Sequence, residues 1–502
     1  MERFLKRYSD RISGIIAGFD RILFQGTLQS ICHIKGMDIF LASQRVLYKD
    51  FGKYAERLSG EIKAHAQAVA EKAGREVIYL KSAKQSKEAY VKALLERENI
   101  KEGLICVLKC VEPCQSFSVQ KNGADKKLHL IMRERQCLHL YYYYLDREFG
   151  FMHVRLQTWF PFTIQVYING REYLARQMDK RAINYEQREN SFTWIDDITK
   201  AQTIIDKLVE RKWERVLASF ARRVNPLIAQ PTGILRNYYW SVRQCEYATD
   251  ILFRNKESLA EIYPALVRHA MEEFSSKDVL RFLQRHTNIR FNGEVKTNLR
   301  ARIEGVRVKH WCEENSIKIY DKHGSVLRIE TTINNPKRFK VYRAVTRNRR
   351  RVYRWLPMRK GIVDMRRRAE VARAANERYL EALACVGESR PSYRLLDEVS
   401  RRLEQQGRSY RALRPISPED AQLFQAILHG EFLLQGFRNK DIAKHLPAFS
   451  SAQITRLLRL LRAHGLIFKV GHTNYYRISR KGQEIMSTAL RFRRSGIALL
   501  AA

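Results

Sequence analysis

Along residues 1–180 the apolar positions recur with two spacings, one near 3.6 residues and one near two, which predicts helices and strands in alternation. Ser13 to Leu28 contains the apolar stretch Gly14-Ile15-Ile16-Ala17-Gly18-Phe19 and reads as hairpin-like, turning near Asp20-Arg21. Leu58, Ile62, His65 and Val69 share one face of a long helix that Gly74 ends. Val77 to Leu80 predicts a strand, Lys87 to Leu95 a helix and Leu104 to Leu108 another strand. The spacing is then two throughout, with strands expected at Leu128–Met132, Cys137–Leu145, Phe151–Trp159 and Phe162–Ile168, before a turn at Asn169-Gly170. This pattern gives an α/β domain with a mixed or antiparallel sheet over residues 1–185.

Residues 186–286 read as a helical domain packed by Trp213, Phe220, Tyr238, Tyr239, Trp240 and Tyr247. A small β meander is expected within 287–336, where Asp321-Lys322-His323-Gly324 supplies glycine at a left-handed turn position. A basic, mostly helical connector follows over 337–412. From 413 to 493 three helices precede a hairpin. Ser417-Pro418-Glu419-Asp420 caps the first, Asn439 caps the second, and Ser450-Ser451-Ala452-Gln453 forms a capping box for the third. Gly465 ends that helix, and Leu466–Val470 and Tyr475–Ile478 make strands around Gly471-His472-Thr473-Asn474. The expected fold class is therefore α+β and multidomain.

The order helix, helix, helix, hairpin resembles the winged helix-turn-helix superfamily of DNA-binding domains. That resemblance implies that the third helix enters the major groove and the hairpin acts as a wing. Gln453, Thr455, Arg456 and Arg459 are then the candidates on the helix. Lys469, His472, Asn474, Tyr476 and Arg477 are those on the wing.

Charge sharpens the expectation of a polyanionic partner. The chain carries 92 Lys and Arg against 53 Asp and Glu, a formal charge of +39, beyond what solubility requires. Lys337 to Arg368 alone holds fourteen basic residues and one acid, Asp364. Within it, Arg347, Arg349, Arg350, Arg351 and Arg354 interleave with Tyr353 and Trp355, joining phosphate grip to a stacking surface. DNA is the first expected partner and RNA the second. A membrane is disfavoured, because no run of about twenty apolar residues occurs. Met1-Glu2-Arg3-Phe4 lacks an apolar signal core, so a cytoplasmic location is expected. For a DNA-binding chain of this kind, what the resemblances imply is a prokaryotic mobile-element or replication setting.

Candidate chemistry is sparser. The meander sequences Ile319-Tyr320-Asp321-Lys322 and Leu327-Arg328-Ile329-Glu330 resemble a segment of rolling-circle replication initiators. There the resemblance implies a tyrosine nucleophile and carboxylates that hold a divalent metal. No His-x-His pair accompanies the segment. On strand geometry alone, Arg328 and Glu330 share one face and can pair with Lys318 across the hairpin. Asp20 and Asp146 are read at strand ends, where metal-binding carboxylates are often found, and Glu172 opens the next helix. Asp20, Asp146, Tyr320, Asp321 and Glu330 are thus the candidate catalytic residues of an enzyme reading, a nickase, transposase or replication initiator using Mg²⁺. No other cofactor is indicated. Cys106, Cys110 and Cys114, with His129, Cys137 and His139 further on, allow a metal site, but ordinary buried thiols are the simpler reading. No GxxxxGK[ST] loop is present, which disfavours nucleotide hydrolysis.

Overall fold

The structure is a computed structural model, described at residues 1–81, 85–228, 235–284, 294–302, 305–347, 350–384, 386, 392–405, 407–428, 432, 436–471 and 473–494. It has a mixed α+β fold in two compact units, Met1–Val386 and Gly387–Ala502. No helix among the described residues is long and apolar enough to cross a membrane.

The first unit is built on one 11-stranded sheet. Its strands are β1 (Ile12–Thr27), β2 (Val77–Tyr79), β3 (Gly103–Lys121), β4 (Leu128–Asp146), β5 (Gly150–Gln157), β6 (Ile164–Asn169), β9 (Tyr239–Phe253), β10 (Val295–Arg302), β11 (Gly305–Cys312), β12 (Asn315–Lys322) and β13 (Val326–Ile333). The hairpin β7 (Tyr185–Arg188) and β8 (Ser191–Ile195) stands apart from it. The strand order is β10-β11-β12-β13-β9-β1-β6-β5-β4-β3-β2, antiparallel except for the edge pair β2 and β3. The meander and the N-terminal strands therefore belong to one sheet, joined through β9.

Three departures from the sequence pattern matter. The stretch Ser13–Leu28 does not turn at Asp20. It runs through as β1 with a bulge, because Phe19 faces Tyr247 and Arg21 faces Glu246, leaving Asp20 as the extra residue. Residues 239–253, expected to be helical, form the central strand β9. Cysteine, valine and aromatic residues suit a strand there, and both neighbours lie far off in sequence, beyond the reach of a local pattern. The basic stretch expected as helix instead folds as a separate hairpin, β14 (Lys340–Arg347) with β15 (Arg350–Pro357), before the helix Met365–Leu383. Val341, Val345 and Val352 outweigh the helix preference of the arginines around them.

The helix Met365–Leu383 covers one face of the sheet. Its Asn376 accepts from Thr331 Oγ1 at 2.7 Å and donates to the Tyr247 carbonyl and Thr249 Oγ1, each at 3.1 Å. The first half of β1 has β9 on one side only. On its other side Gln202, from the helix Ile198–Asp206, accepts from Ala17 N at 2.8 Å and donates to Ala17 O at 2.9 Å, as a paired strand would. β6 takes over that edge from Arg21 onward.

β6 ends at Asn169, whose side chain caps the helix Gly170–Asp179 by accepting from Arg171 N and Glu172 N. A Cβ on Gly170 would lie 1.9 Å from the Phe19 carbonyl oxygen, so only glycine lets this helix start against β1 beside the bulge. Gly170→Ala is expected to cost about 1–3 kcal/mol of stability in urea unfolding. Gly52→Ala, at a helical position where nothing lies within 4 Å of the new Cβ, should hold or raise the midpoint. Equal midpoints for the two variants would contradict this packing.

The second unit contains the helices Pro418–Ile427, Asn439–Ala443 and Ser451–Ala463, the short strands Ile467–Lys469 and Tyr476–Ile478, and the helix Arg480–Arg494. Ser417 caps the first helix, and Ser450 with Gln453 forms the capping box of the third. Phe437 pairs with Tyr476 through both backbone bonds, tying the hairpin to the turn before the second helix. Gly436 has φ +75°, and a Cβ there would meet the Tyr476 carbonyl at 2.3 Å. Leu423, Phe424, Ile427, Ile454, Leu458 and Leu461 form this unit's core.

Candidate functional site

Strand alternation places a polar cluster on the sheet face opposite the helix Met365–Leu383. Register sets Arg328 opposite Asp250, Thr332 opposite Glu246, Lys318 opposite Glu330 and Tyr320 opposite Arg328. Side chains two apart on a strand share a face, so β12, β13 and β9 present Lys318, Tyr320, Arg328, Glu330, Glu246 and Asp250 together. The bulge in β1 adds both Asp20 and Arg21 from adjacent positions.

At its centre, fully buried Arg328 bonds to two strands at once. Its Nε and Nη2 donate to the two Asp250 oxygens at 2.5 and 2.7 Å, and its Nη1 donates to Asp20 Oδ2 at 3.2 Å. Nη2 also donates to the Asn190 carbonyl at 2.7 Å, while Asn190 Nδ2 donates to Asp20 Oδ2 at 2.7 Å. Arg171, at the start of the helix after β6, lies 2.9 Å from Asp250 Oδ2. Glu330 accepts from Tyr320 Oη at 2.6 Å and pairs with Lys318 Nζ at 2.5 Å. Glu246, on the more open side, faces Lys318 and Arg21 at 3.8 Å each. Four carboxylates thus meet four cations.

Burial pushes the Asp20 carboxyl up; Arg328 opposes that and Glu330 adds to it. Glu246 is pushed up to about 7 by burial and by the neighbouring Glu330 and Asp20. Glu330 goes the other way. Burial raises it, but Lys318, Arg328 and the Tyr320 hydroxyl together outweigh that and bring it to about 2. Tyr320 is raised well above its ordinary value by burial and by Glu330.

Among the described residues, one group has the geometry to hold a cation: Asp20, Glu246 and Glu330 each offer an oxygen within 4.8 Å of the others. Asp20 Oδ1 is buried with no hydrogen-bond partner, which suits a ligand. Lys318 Nζ already contacts Glu330 and Glu246, so an ion would compete with it.

Of the five candidate catalytic residues, the structure brings together Asp20, Tyr320 and Glu330. Asp146 lies apart at the β4–β5 turn, where it accepts from Glu148 N and Phe149 N. Asp321 falls on the other face from Tyr320 and caps its own turn, accepting from Gly324 N at 2.9 Å. Tyr320 is buried with its hydroxyl held by Glu330. Glu246 and Asp250 escaped sequence reasoning because residues four apart share a face in a helix as in a strand, and a helix was expected there. Cys106 and Cys110 are buried beside Leu108, Tyr141 and Tyr143 in a separate apolar cluster, and Cys114 is partly exposed.

The nucleic-acid candidates lie elsewhere. On the β14–β15 hairpin, Arg350, Arg351, Tyr353 and Arg354 are exposed. Arg347 is in β14; Arg349 lies outside the described residues. In the C-terminal unit, Gln453 accepts from Ser450 N, and Thr455 Oγ1 accepts from Asn439 and donates to the Ser451 carbonyl. Both side chains therefore serve the helix start, whereas Arg456 and Arg459 are exposed along the same helix. Asn474 and Arg477 are exposed, Lys469 is half-buried, Tyr476 packs on Phe437, and His472 lies outside the described residues. Comparison with protein-family models, curated proteins and solved structures returns no match to this chain.

Two outcomes test the cluster. A carboxyl raised from 4.5 to about 7 in the folded protein contributes stability below pH 4.5 that is lost as pH rises through 7. Glu246→Gln should therefore gain on the wild type between pH 5 and 8, by on the order of 2–3 kcal/mol at the upper end. A pH-independent difference in unfolding free energy would contradict it. Arg328→Met leaves Asp20 and Asp250 buried without their shared partner and should cost on the order of 3–5 kcal/mol; a stability loss within error would refute the bridge.

Proposed function

We propose that this chain is a nucleic-acid-binding protein, with DNA its first partner, that uses the β14–β15 hairpin as a basic arm and its C-terminal unit as a winged helix. The observation that carries this reading is the hairpin. Its two strands contain lysine and arginine but no acid, and among the described residues only Arg343 has a carboxylate partner, Asp364. Unpaired, exposed guanidinium groups beside aromatic rings suit phosphates with bases attached. Support for the second part is the order of elements in the C-terminal unit, with Arg456 and Arg459 exposed on the third helix.

A second reading is metal-dependent phosphodiester chemistry, favoured by the convergence of Asp20, Glu246 and Glu330. These carboxylates would hold Mg²⁺, and Arg21, which is exposed beside them, would meet a phosphate. The ion would supply charge neutralisation at the phosphoryl oxygens.

Replacing Arg350, Arg351 and Arg354 with alanine should weaken binding to all DNA sequences alike and flatten the dependence on salt, by a slope of roughly 0.7–0.9 for each phosphate no longer gripped. An unchanged slope in a titration from low to high salt would remove the arm from the account. Arg456→Ala with Arg459→Ala should instead erode preference for a selected site over random duplex, at roughly 1–3 kcal/mol for each base no longer read. Preference that survives intact would exclude the third helix as reader. For the second reading, cleavage of labelled DNA should require Mg²⁺ or Mn²⁺ and disappear in Asp20→Asn; intact strands in every metal condition would leave a binding protein alone.

A further inference from the structure

The β14–β15 hairpin carries three large aromatic side chains in the open. Tyr342, Tyr353 and Trp355 are 56%, 53% and 64% exposed. Register explains why they adjoin: Tyr342 lies directly opposite Trp355, and Tyr353 lies two residues before Trp355 on the same strand face. The Tyr342 ring stands 5.6 Å from Trp355 and 5.5 Å from Tyr353, the latter pair inclined by only 30°. The Arg351 guanidinium sits 5.7 Å over Tyr353 and continues the row. Val341, on the other face of β14, is buried, and Arg343 there is drawn to Asp364. At the hairpin's base Met358 N donates to the Phe339 carbonyl, closing the two strands on each other, and both of these side chains are buried. One face is thus anchored and the other is a bare aromatic row edged with cations.

We infer that Tyr342, Tyr353 and Trp355 form a stacking platform for the bases of an unpaired nucleic-acid strand, with Arg351 and its neighbours on the phosphates. This rests on the nucleic-acid reading above and narrows the hairpin's part of it to an unpaired strand. Exposed apolar surface of this size marks an interaction site. Its occupant must offer flat apolar faces and negative charge together, because every charged residue on the two strands is a cation. A duplex hides its base faces within its own stack, whereas an unpaired strand exposes them. A protein partner would have to match the rings with an acidic rim.

The test uses the full chain and three labelled probes of equal length: oligo-dT, the same backbone without bases, and a duplex. Oligo-rU is a fourth arm that separates RNA from DNA. The wild type should bind oligo-dT at least tenfold more tightly than the abasic strand, with quenching of tryptophan fluorescence. Alanine at all three rings should remove that advantage, costing about tenfold or more in all on oligo-dT, while duplex affinity changes less than threefold. Trp355→Phe should restore most of the loss that Trp355→Ala causes, which a merely misfolded hairpin would not allow. Equal affinity for dT and abasic strands, or equal losses on dT and duplex, overturns the platform but leaves the nucleic-acid reading standing. Absence of salt-dependent binding to every probe overturns both.

Discussion

Arg328 is the residue on which the first unit turns. It is wholly buried, and one planar guanidinium holds Asp250 on β9 with two parallel bonds while a third reaches Asp20 on β1. A charge taken out of water at that depth is tolerable only when its partners are fixed and fully matched. The match here depends on register: Arg328 must stand opposite Asp250, and the bulge in β1 must bring Asp20 to the same face. A slip of one residue would turn every member of the cluster to the wrong side. The network thereby specifies how strands more than two hundred residues apart in the chain are aligned, which hydrophobic contact alone leaves loosely defined.

The same matching shapes what the cluster can do. Arg328 and Arg171 occupy Asp250, and Lys318 with Tyr320 occupies Glu330. Glu246 and one oxygen of Asp20 are left as the incompletely matched acids, and Glu246 retains a proton to nearly neutral pH. The proton on Glu246 relieves repulsion among three close carboxylates, the role that a cation plays elsewhere. The buried centre of the sheet and the outer hairpin differ in this respect: one sets its acids against cations, whereas among the described residues of the other only Arg343 has a carboxylate partner.

Part of this was legible from the chain. The alternation Lys318-Ile319-Tyr320 against Arg328-Ile329-Glu330 identified the facing strands, and Lys318 does stand opposite Glu330 at 2.5 Å. The caps at Ser417 and Ser450 are found as the residue types require. The sheet's middle was not legible. Gly18-Phe19-Asp20-Arg21 has turn chemistry, and only pairing with distant β9 shows it to be a bulge. β9 itself mixes aromatic, charged and small residues with no clean alternation. In the hairpin, arginine pointed to helix, although Val341, Val345 and Val352 carried the contrary signal. Local propensity failed where long-range pairing and ion matching decide the backbone.

Nucleic acid is proposed to meet the chain at the outer hairpin and the C-terminal unit. Photo-crosslinking of the full chain to a thymidine-rich strand carrying 4-thiothymidine, followed by peptide mapping, tests it directly. Crosslinks are expected within Lys340–Pro357, above all at Tyr342, Tyr353 and Trp355, and a second set within Ser451–Arg477. Crosslinks confined to other segments, or none under conditions where the strand is bound, would contradict it.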